Sequence, residues 1–313
     1  MTPPIPVALS TGSIYTYGTA RAFELAARAG YDGVELIVDD RWDTRQASYL
    51  RRLVDHYGVS ILSVHHPFTF QRCPGWPRAE VERVKLSLAL AEEVGARTLN
   101  LHLPLRVRDL LILYAGRRWI AALPGATPDQ RRFREWLTGG GLAALQAQTP
   151  VAITVENLPV RRLFGRRFNA YALNTWGELA TFSRICLDTT HCGTTGSDLL
   201  AVYQRLAERV AHVHLSDYDG HNQHRPIGQG HLPLAPFLEA LAARAYQGIV
   251  VVELDPSGLP MQDEDKVAAE LRRNLELCRT HLRRGAGATA AEDGAVTAPA
   301  AGVAALTGSA RAE

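Results

Sequence analysis

Four residues able to donate oxygen or nitrogen to a metal, Glu156, Asp188, His214 and Glu253, each stand at the end of a short apolar run. Runs of this kind recur: Ile61–His66, Thr98–His102, Val151–Glu156, Ile185–His191, Val210–Asp217 and Gly248–Glu253 all finish on an imidazole or a carboxylate. A charge left at the end of a buried strand must be paired or metal-bound, because its desolvation is otherwise prohibitive. If the runs are parallel strands, their ends meet on one rim. Two glutamates, one aspartate and one imidazole there form a hard site of about three negative charges, suited to Mn2+, Mg2+, Co2+ or Zn2+ rather than to a soft thiolate metal.

More imidazoles lie close in the pattern. His65 and His102 end the third and fourth runs and would face the same cavity, with His66 as the alternative to His65 because successive strand side chains point to opposite faces. His191, three residues past Asp188, could reach metal or substrate, and His224 sits in the connection ahead of Gly228-Gln-Gly230. His212 shares the parity of His214 but lies deeper, which favours a core or hydrogen-bonding role. Glu35 reads either as a partner for a ligand histidine or as a charge paired with a neighbouring arginine.

Positioning these groups requires a repeated scaffold. Strands are expected at Val7–Thr11, Gly33–Val38, Ile61–Val64, Thr98–Leu103, Val151–Val155, Ile185–Asp188, Val210–Leu215 and Gly248–Leu254. Helices are expected at Thr19–Ala29, Gln46–Tyr57, Ala79–Val94, within Asp129–Gln148, and at Thr175–Ser183, Asp198–Glu208, Leu234–Ala245 and Glu264–Leu282, with Gly30, Gly58 and Gly95 as stops. Eight strand–helix units with near-continuously apolar strands predict an α/β fold: a single (β/α)8 TIM barrel over residues 1–284, with its site at the C-terminal rim of the strands. A doubly wound open sheet would scatter the same residues along an edge. From Gly285 onward the chain is rich in Gly, Ala and Thr without periodicity, and 285–313 reads as a disordered tail.

Two connections are long: Pro104–Pro128, with Arg106, Arg108, Arg117, Arg118 and Trp119, and Leu158–Asn174, with Arg161, Arg162, Arg166 and Arg167. The whole-chain charge of +2 argues for neither nucleic acid nor membrane, and no run approaches the roughly 20 apolar residues needed to span a bilayer. Cys73, Cys186, Cys192 and Cys278 lack metal or disulfide spacing and read as reduced thiols in a cytoplasmic protein. No Gly-rich phosphate loop and no Ser-His-Asp order is present.

The segments Ser63-Val-His65-His-Pro-Phe68, Val155-Glu156-Asn157, Leu187-Asp188-Thr-Thr-His191, His212-Val-His214-Leu-Ser-Asp217, Gly228-Gln-Gly230 and Val252-Glu253 resemble the xylose-isomerase-like TIM-barrel superfamily, over about residues 7 to 283. That superfamily holds sugar isomerases and epimerases as well as class II AP endonucleases (AP endonuclease family 2). In its isomerase branch the resemblance implies one divalent ion on Glu156, Asp188, His214 and Glu253, with Glu156 and Glu253 as catalytic base and acid. The substrate would be a small-molecule sugar or sugar phosphate, bound by His191 and Arg225. Related barrels often form homo-oligomers.

In the nuclease branch it implies additional Zn2+ ions, one on His65, His102 and Glu156 and another on His191, His224 and an aspartate whose position holds Asn222. That neutral amide should leave the last site weak, and recognisable DNA-insertion loops are missing, so nucleic acid is not the expected partner. A related dehydratase or lyase, or a barrel that binds metal or sugar without turnover, completes the range. The second glutamate of ketose 3-epimerases is replaced here by Arg162, which argues against free ketoses. The loop arginines are read either as a site for an anionic substrate or as a solvated arginine-rich face. Tyr15, Tyr17 and Trp42 could line the pocket mouth, and Phe68 and Trp76 could cover one sugar face or pack beneath the loop.

Overall fold

The computed structural model describes residues 4–69, 71–114, 117–163 and 166–296. Eight parallel strands, β1 Val7–Ser10, β2 Gly33–Ile37, β3 Ser60–His65, β4 Thr98–Leu101, β5 Ala152–Glu156, β6 Ile185–Asp188, β7 Val210–Leu215 and β8 Ile249–Val252, close into a barrel in chain order. Every residue of β1, β4, β6 and β8 is buried. Such strands are covered on both faces, which is why they read as unbroken apolar runs.

Around them lie α1 Thr19–Ala29, α2 Ala47–Tyr57, α3 Glu80–Glu93, α4 Pro128–Thr138, α5 Gly141–Gln146, α6 Trp176–Leu179, α7 Thr189–Thr195, α8 Leu199–Leu206, α9 Leu234–Ala243 and α10 Glu264–Val296. Gly30 and Gly58 end α1 and α2 in the left-handed region, at φ 89° and 67°, where a side chain would be strained. The main core fills the annulus between strands and helices, with Phe23, Leu50, Leu99, Phe133 and Phe237 among its fully buried side chains.

The barrel's interior is apolar only at its lower end, where Ala8, Ile249 and Val251 pack with Leu62. A register slip in β3 makes that possible: Val34 pairs with Ile61 but Glu35 pairs with Ser63, so Leu62 is the extra residue of a bulge. Its side chain lies over Gly33, where an added Cβ would come within 2.4 Å of it. Glycine at 33 is what admits the plug.

Three expectations need correction. The helix expected at Thr175–Ser183 is the single turn α6, fixed by a capping box between Thr175 and Glu178. Both long connections are ordered as antiparallel hairpins, Val107–Tyr114 with Arg117–Pro124 and Arg161–Leu163 with Arg166–Phe168. Local pairing satisfies their backbones without help from the barrel. Their bases are stitched together, since Arg106 N–H donates to the Ala170 carbonyl at 2.7 Å and Ala172 N–H to the Pro104 carbonyl at 2.8 Å.

The last helix also passes the expected end at Leu282 and the expected tail boundary at Gly285, running to Val296. Gly285 is no helix stop: a Cβ there would lie 2.2 Å from the Glu239 carbonyl oxygen of α9, so it is a close-approach glycine between two helices. The remainder of the expected tail, 297–313, lies outside the described residues. Among the described residues no helix is long and apolar enough to cross a membrane.

Candidate metal centre

Each of the four principal donors reaches the rim from a different strand. Glu156 ends β5, Asp188 ends β6, His214 is the penultimate residue of β7 and Glu253 follows β8. One donor atom from each of the four can be chosen so that all lie within 4.8 Å of one another. His214 Nδ1 stands 3.0 Å from Glu253 Oε2, 3.5 Å from Glu156 Oε1 and 3.8 Å from Asp188 Oδ2.

Asp188 is anchored by one oxygen only. As the N-cap of α7 it accepts the His191 N–H at Oδ1, 2.7 Å away, while Oδ2 is buried with no hydrogen-bond partner. His214 Nδ1 is likewise buried and unpartnered. Two buried lone donors facing each other are costly unless a cation lies between them. The donor set, three carboxylates and an imidazole, has the chemistry for a hard or borderline divalent ion.

Two flanking clusters share these residues. His65, His102 and Glu156 converge, with each imidazole Nε2 3.4 Å from Glu156 Oε2. Asp188, His191 and His224 form the other, with His191 Nδ1 3.4 Å from Asp188 Oδ2. Asp188 thus stands beside His191 and His224. Asn222 instead turns away, its backbone N–H and its side-chain amide both donating to Asp219. His66 points outward, as strand alternation requires, with its Nδ1 2.9 Å from Ser87 Oγ and its Nε2 3.1 Å from Glu80.

The charges are strongly coupled. Burial raises the Glu156 pKa, but His214 and His102 outweigh it and hold the carboxyl well below its usual range. Glu253 follows the same balance and sits at about 2, chiefly through His214. Burial opposes protonation of His191, yet Asp188 and Glu156 lift it to about 9. Asp188 is pushed up, mainly by burial.

Beneath the rim a second polar layer holds the first in place. Glu35 is fully buried and accepts from Ser63 Oγ at 2.8 Å; its Oε2 lies 2.8 Å from His212 Nε2 and its Oε1 2.9 Å from His214 Nε2. Glu35 therefore faces histidines rather than an arginine, and His212 has the hydrogen-bonding place expected from its depth. Two residues unnoticed in the sequence also belong here. Asn100 donates to Glu156 Oε2 at 2.5 Å, and Asn157 exchanges bonds with the Asp188 backbone while its carbonyl lies 2.9 Å from His191 Nδ1. Strand parity with His102 was the signal for Asn100.

Cys186 lies under the rim with His212 and His214, and burial raises its thiol well above the usual value. All four cysteines are free and buried. Asp217 ends the β7 run, and its carbonyl accepts from Thr190 Oγ1 at 2.8 Å. Its carboxylate accepts the backbone N–H groups of Tyr218, Gly228 and Leu232 and so shapes the following loop.

A cavity of about 300 Å3 opens over the rim, lined by Tyr15, Phe68, Gln71, His224 and Glu253 among others. Phe68 packs 5.5 Å from the His65 ring and 4.9 Å from that of His102. Tyr17 is tied to the Met261 carbonyl and Trp42 is exposed, so of the three expected mouth residues Tyr15 is the one in this cavity's wall. Arg225 bonds Gln229 and lies against Gly258, outside the donor clusters. The side chains of Arg108, Arg117, Arg118, Trp119 and Arg162 lie outside what the structure describes.

Comparison with known proteins matches residues 23–278 to a family described as xylose isomerase-like TIM barrel. An uncharacterised protein of Mycobacterium tuberculosis (strain ATCC 25618 / H37Rv) is 31% identical over 305 residues, covering 91% of this chain and 100% of the relative. Among solved structures, 3-keto-D-glucoside 4-epimerase from E. coli aligns with a TM-score of 0.63 at 17% identity, over 88% of this chain and 99% of that one. An AP endonuclease, family 2, from Brucella melitensis aligns with a TM-score of 0.60 at 18% identity, over 85% and 96%. At such identities the structural likenesses speak for the fold alone.

Proposed function

The chain belongs to the xylose isomerase-like TIM-barrel family, and from that premise we propose that it is a divalent-metal-dependent isomerase or epimerase acting on a sugar or sugar phosphate. The observation that carries this reading is the meeting of Glu156, Asp188, His214 and Glu253 around two unpartnered buried donors. These four residues would hold the ion. When bound, it supplies a Lewis acid that polarises a substrate carbonyl and offsets the enediolate charge left by loss of a neighbouring carbon-bound proton.

The chain's own groups divide the remaining work. Glu253 lines the open cavity, which places its carboxylate where it would take a proton from substrate. Glu156 is the partner carboxylate; ionised in the free chain, it would have to gain a proton from solvent or substrate before returning one, and Asn100 fixes one of its oxygens. His191, whose Nδ1 lies against the Asn157 carbonyl, would form a hydrogen bond with a substrate oxygen. Phe68 would cover one face and keep water from the reacting carbon.

The test is metal content followed by isotope exchange. About one ion per chain is expected, together with deuterium from heavy water appearing at a single carbon of one sugar in a panel of free and phosphorylated ketoses. A second reading, a multinuclear phosphodiesterase, is favoured specifically by the flanking clusters at His65–His102–Glu156 and Asp188–His191–His224. Two or three ions per chain with cleavage of an abasic-site duplex and no isotope exchange would put that reading first.

A further inference from the structure

We propose that the substrate carries an anionic group, a phosphate or a carboxylate, and that the connection between β3 and α3 binds it. The proposal rests on the rim donors being the reaction centre. A cavity of about 400 Å3 lies under this connection, with Gln71, Arg72, Trp76, Arg78 and Arg83 in its wall. Gln71 also lines the cavity that opens on Glu253, so the two spaces adjoin at one side chain. One molecule can place its reacting carbons near Glu253 and extend past Gln71.

The charges around the second cavity do not cancel. Arg83, 4% exposed, pairs with Glu80. Arg45 lies 5.9 Å over the Trp76 ring and donates only to the carbonyls of Asp40, Arg41 and Pro74. Arg72 and Arg78 are exposed and form no ion pair among the described residues. A merely solvated arginine face would leave its unmet groups in water. Here two are buried without partners: Arg83 Nε, a donor, and Gln71 Oε1, an acceptor.

Exposed guanidinium groups without ion-pair partners beside an open cavity suit phosphate or carboxylate, and an unpartnered amide oxygen between the cavities suits a sugar hydroxyl. Of the hairpin arginines expected from the sequence to take this role, Arg161 and Arg166 are exposed, and two others are engaged elsewhere. Arg106 lies 3.5 Å from Glu178, and the Arg167 guanidinium rests on Gly196.

Inorganic phosphate is the probe, titrated by calorimetry into the full chain with and without Mn2+. Arg72→Ala/Arg78→Ala should weaken phosphate binding by about tenfold or more in both conditions, while Arg72→Lys/Arg78→Lys retains part of it. Both positions are exposed, so an unchanged melting temperature is expected for each variant. The pocket is disproved if phosphate ignores the wild-type chain or binds the alanine variant equally. It is equally disproved by binding that requires Mn2+ and disregards the arginines, since the anion then sits on the rim donors. Arginine-dependent phosphate binding in a chain that exchanges no sugar hydrogen would uphold the pocket and sink the isomerase reading alone.

Discussion

The two faces of β3 carry neighbouring histidines into two buried clusters of similar make-up, and only one of them closes. Outside the barrel His66 meets Glu80 and Ser87, and the guanidinium of Arg83 completes the group. Burial then keeps the His66 pKa low. Inside, burial also opposes protonation of His65, but Glu156 overrides it and the pKa rises. The partners of Glu156, Asp188 and Glu253 are imidazoles, an amide and a backbone N–H, with no arginine or lysine among their described contacts. The outer cluster has its cation covalently built in. The inner one offsets its anions only with imidazoles, whose protons an incoming divalent ion can displace, and that is the physical reason to expect a metal there.

The comparison breaks first at Asp188. Asp188→Ala should weaken Mn2+ or Co2+ binding by about 100-fold or more, measured by calorimetry, and abolish isotope exchange, because it deletes a direct donor. A variant that binds the ion as tightly as wild type would end the four-donor assignment. On the outer face, Arg83→Met should destabilise the chain by about 3–5 kcal/mol in urea unfolding, since it strands the buried Glu80 carboxylate, and should leave Mn2+ affinity nearly unchanged.

Glu35→Gln sharpens the contrast more gently. It keeps the shape but loses the charge behind His214, so a fall of about tenfold in metal affinity is expected, visible as a shift in half-saturation rather than in ion count. The smallest effect is on pH. His191 at about 9 and the raised His214 are both protonated near neutrality without an ion, so an incoming ion must displace protons. Apparent affinity should therefore climb as pH rises toward about 9 and drop below neutrality, with proton release detectable by calorimetry in two buffers.

The barrel and the gathering of four polar residues at its rim were legible in the sequence for one reason. Polar groups at the ends of buried strands are too costly to occur without purpose, so Glu156, Asp188, His214 and Glu253 advertise themselves. Elsewhere the same logic had nothing to grip. The hairpins at Val107–Pro124 and Arg161–Phe168 are paired locally, and their arginine content masks the strand pattern. Gly285 reads as the start of a tail because a packing glycine in a Gly- and Ala-rich stretch carries no periodicity. The space beneath Arg72–Arg78 depends on a Pro- and Gly-containing loop folding against Arg83 of α3, and no periodicity encodes that. Asn100 and Glu35 could be placed near the site by parity, but their partners only by coordinates.

The bulge at Leu62 has a consequence for isotope traffic. With its lower throat stoppered by Leu62, Ala8, Ile249 and Val251, the barrel is a vessel with one mouth. Under the proposed reaction, a hydrogen lifted from substrate would reach bulk solvent through the upper mouth, whose wall includes Tyr15, Phe68 and Gln71, so how much label escapes per turnover would gauge how far a bound substrate closes that mouth.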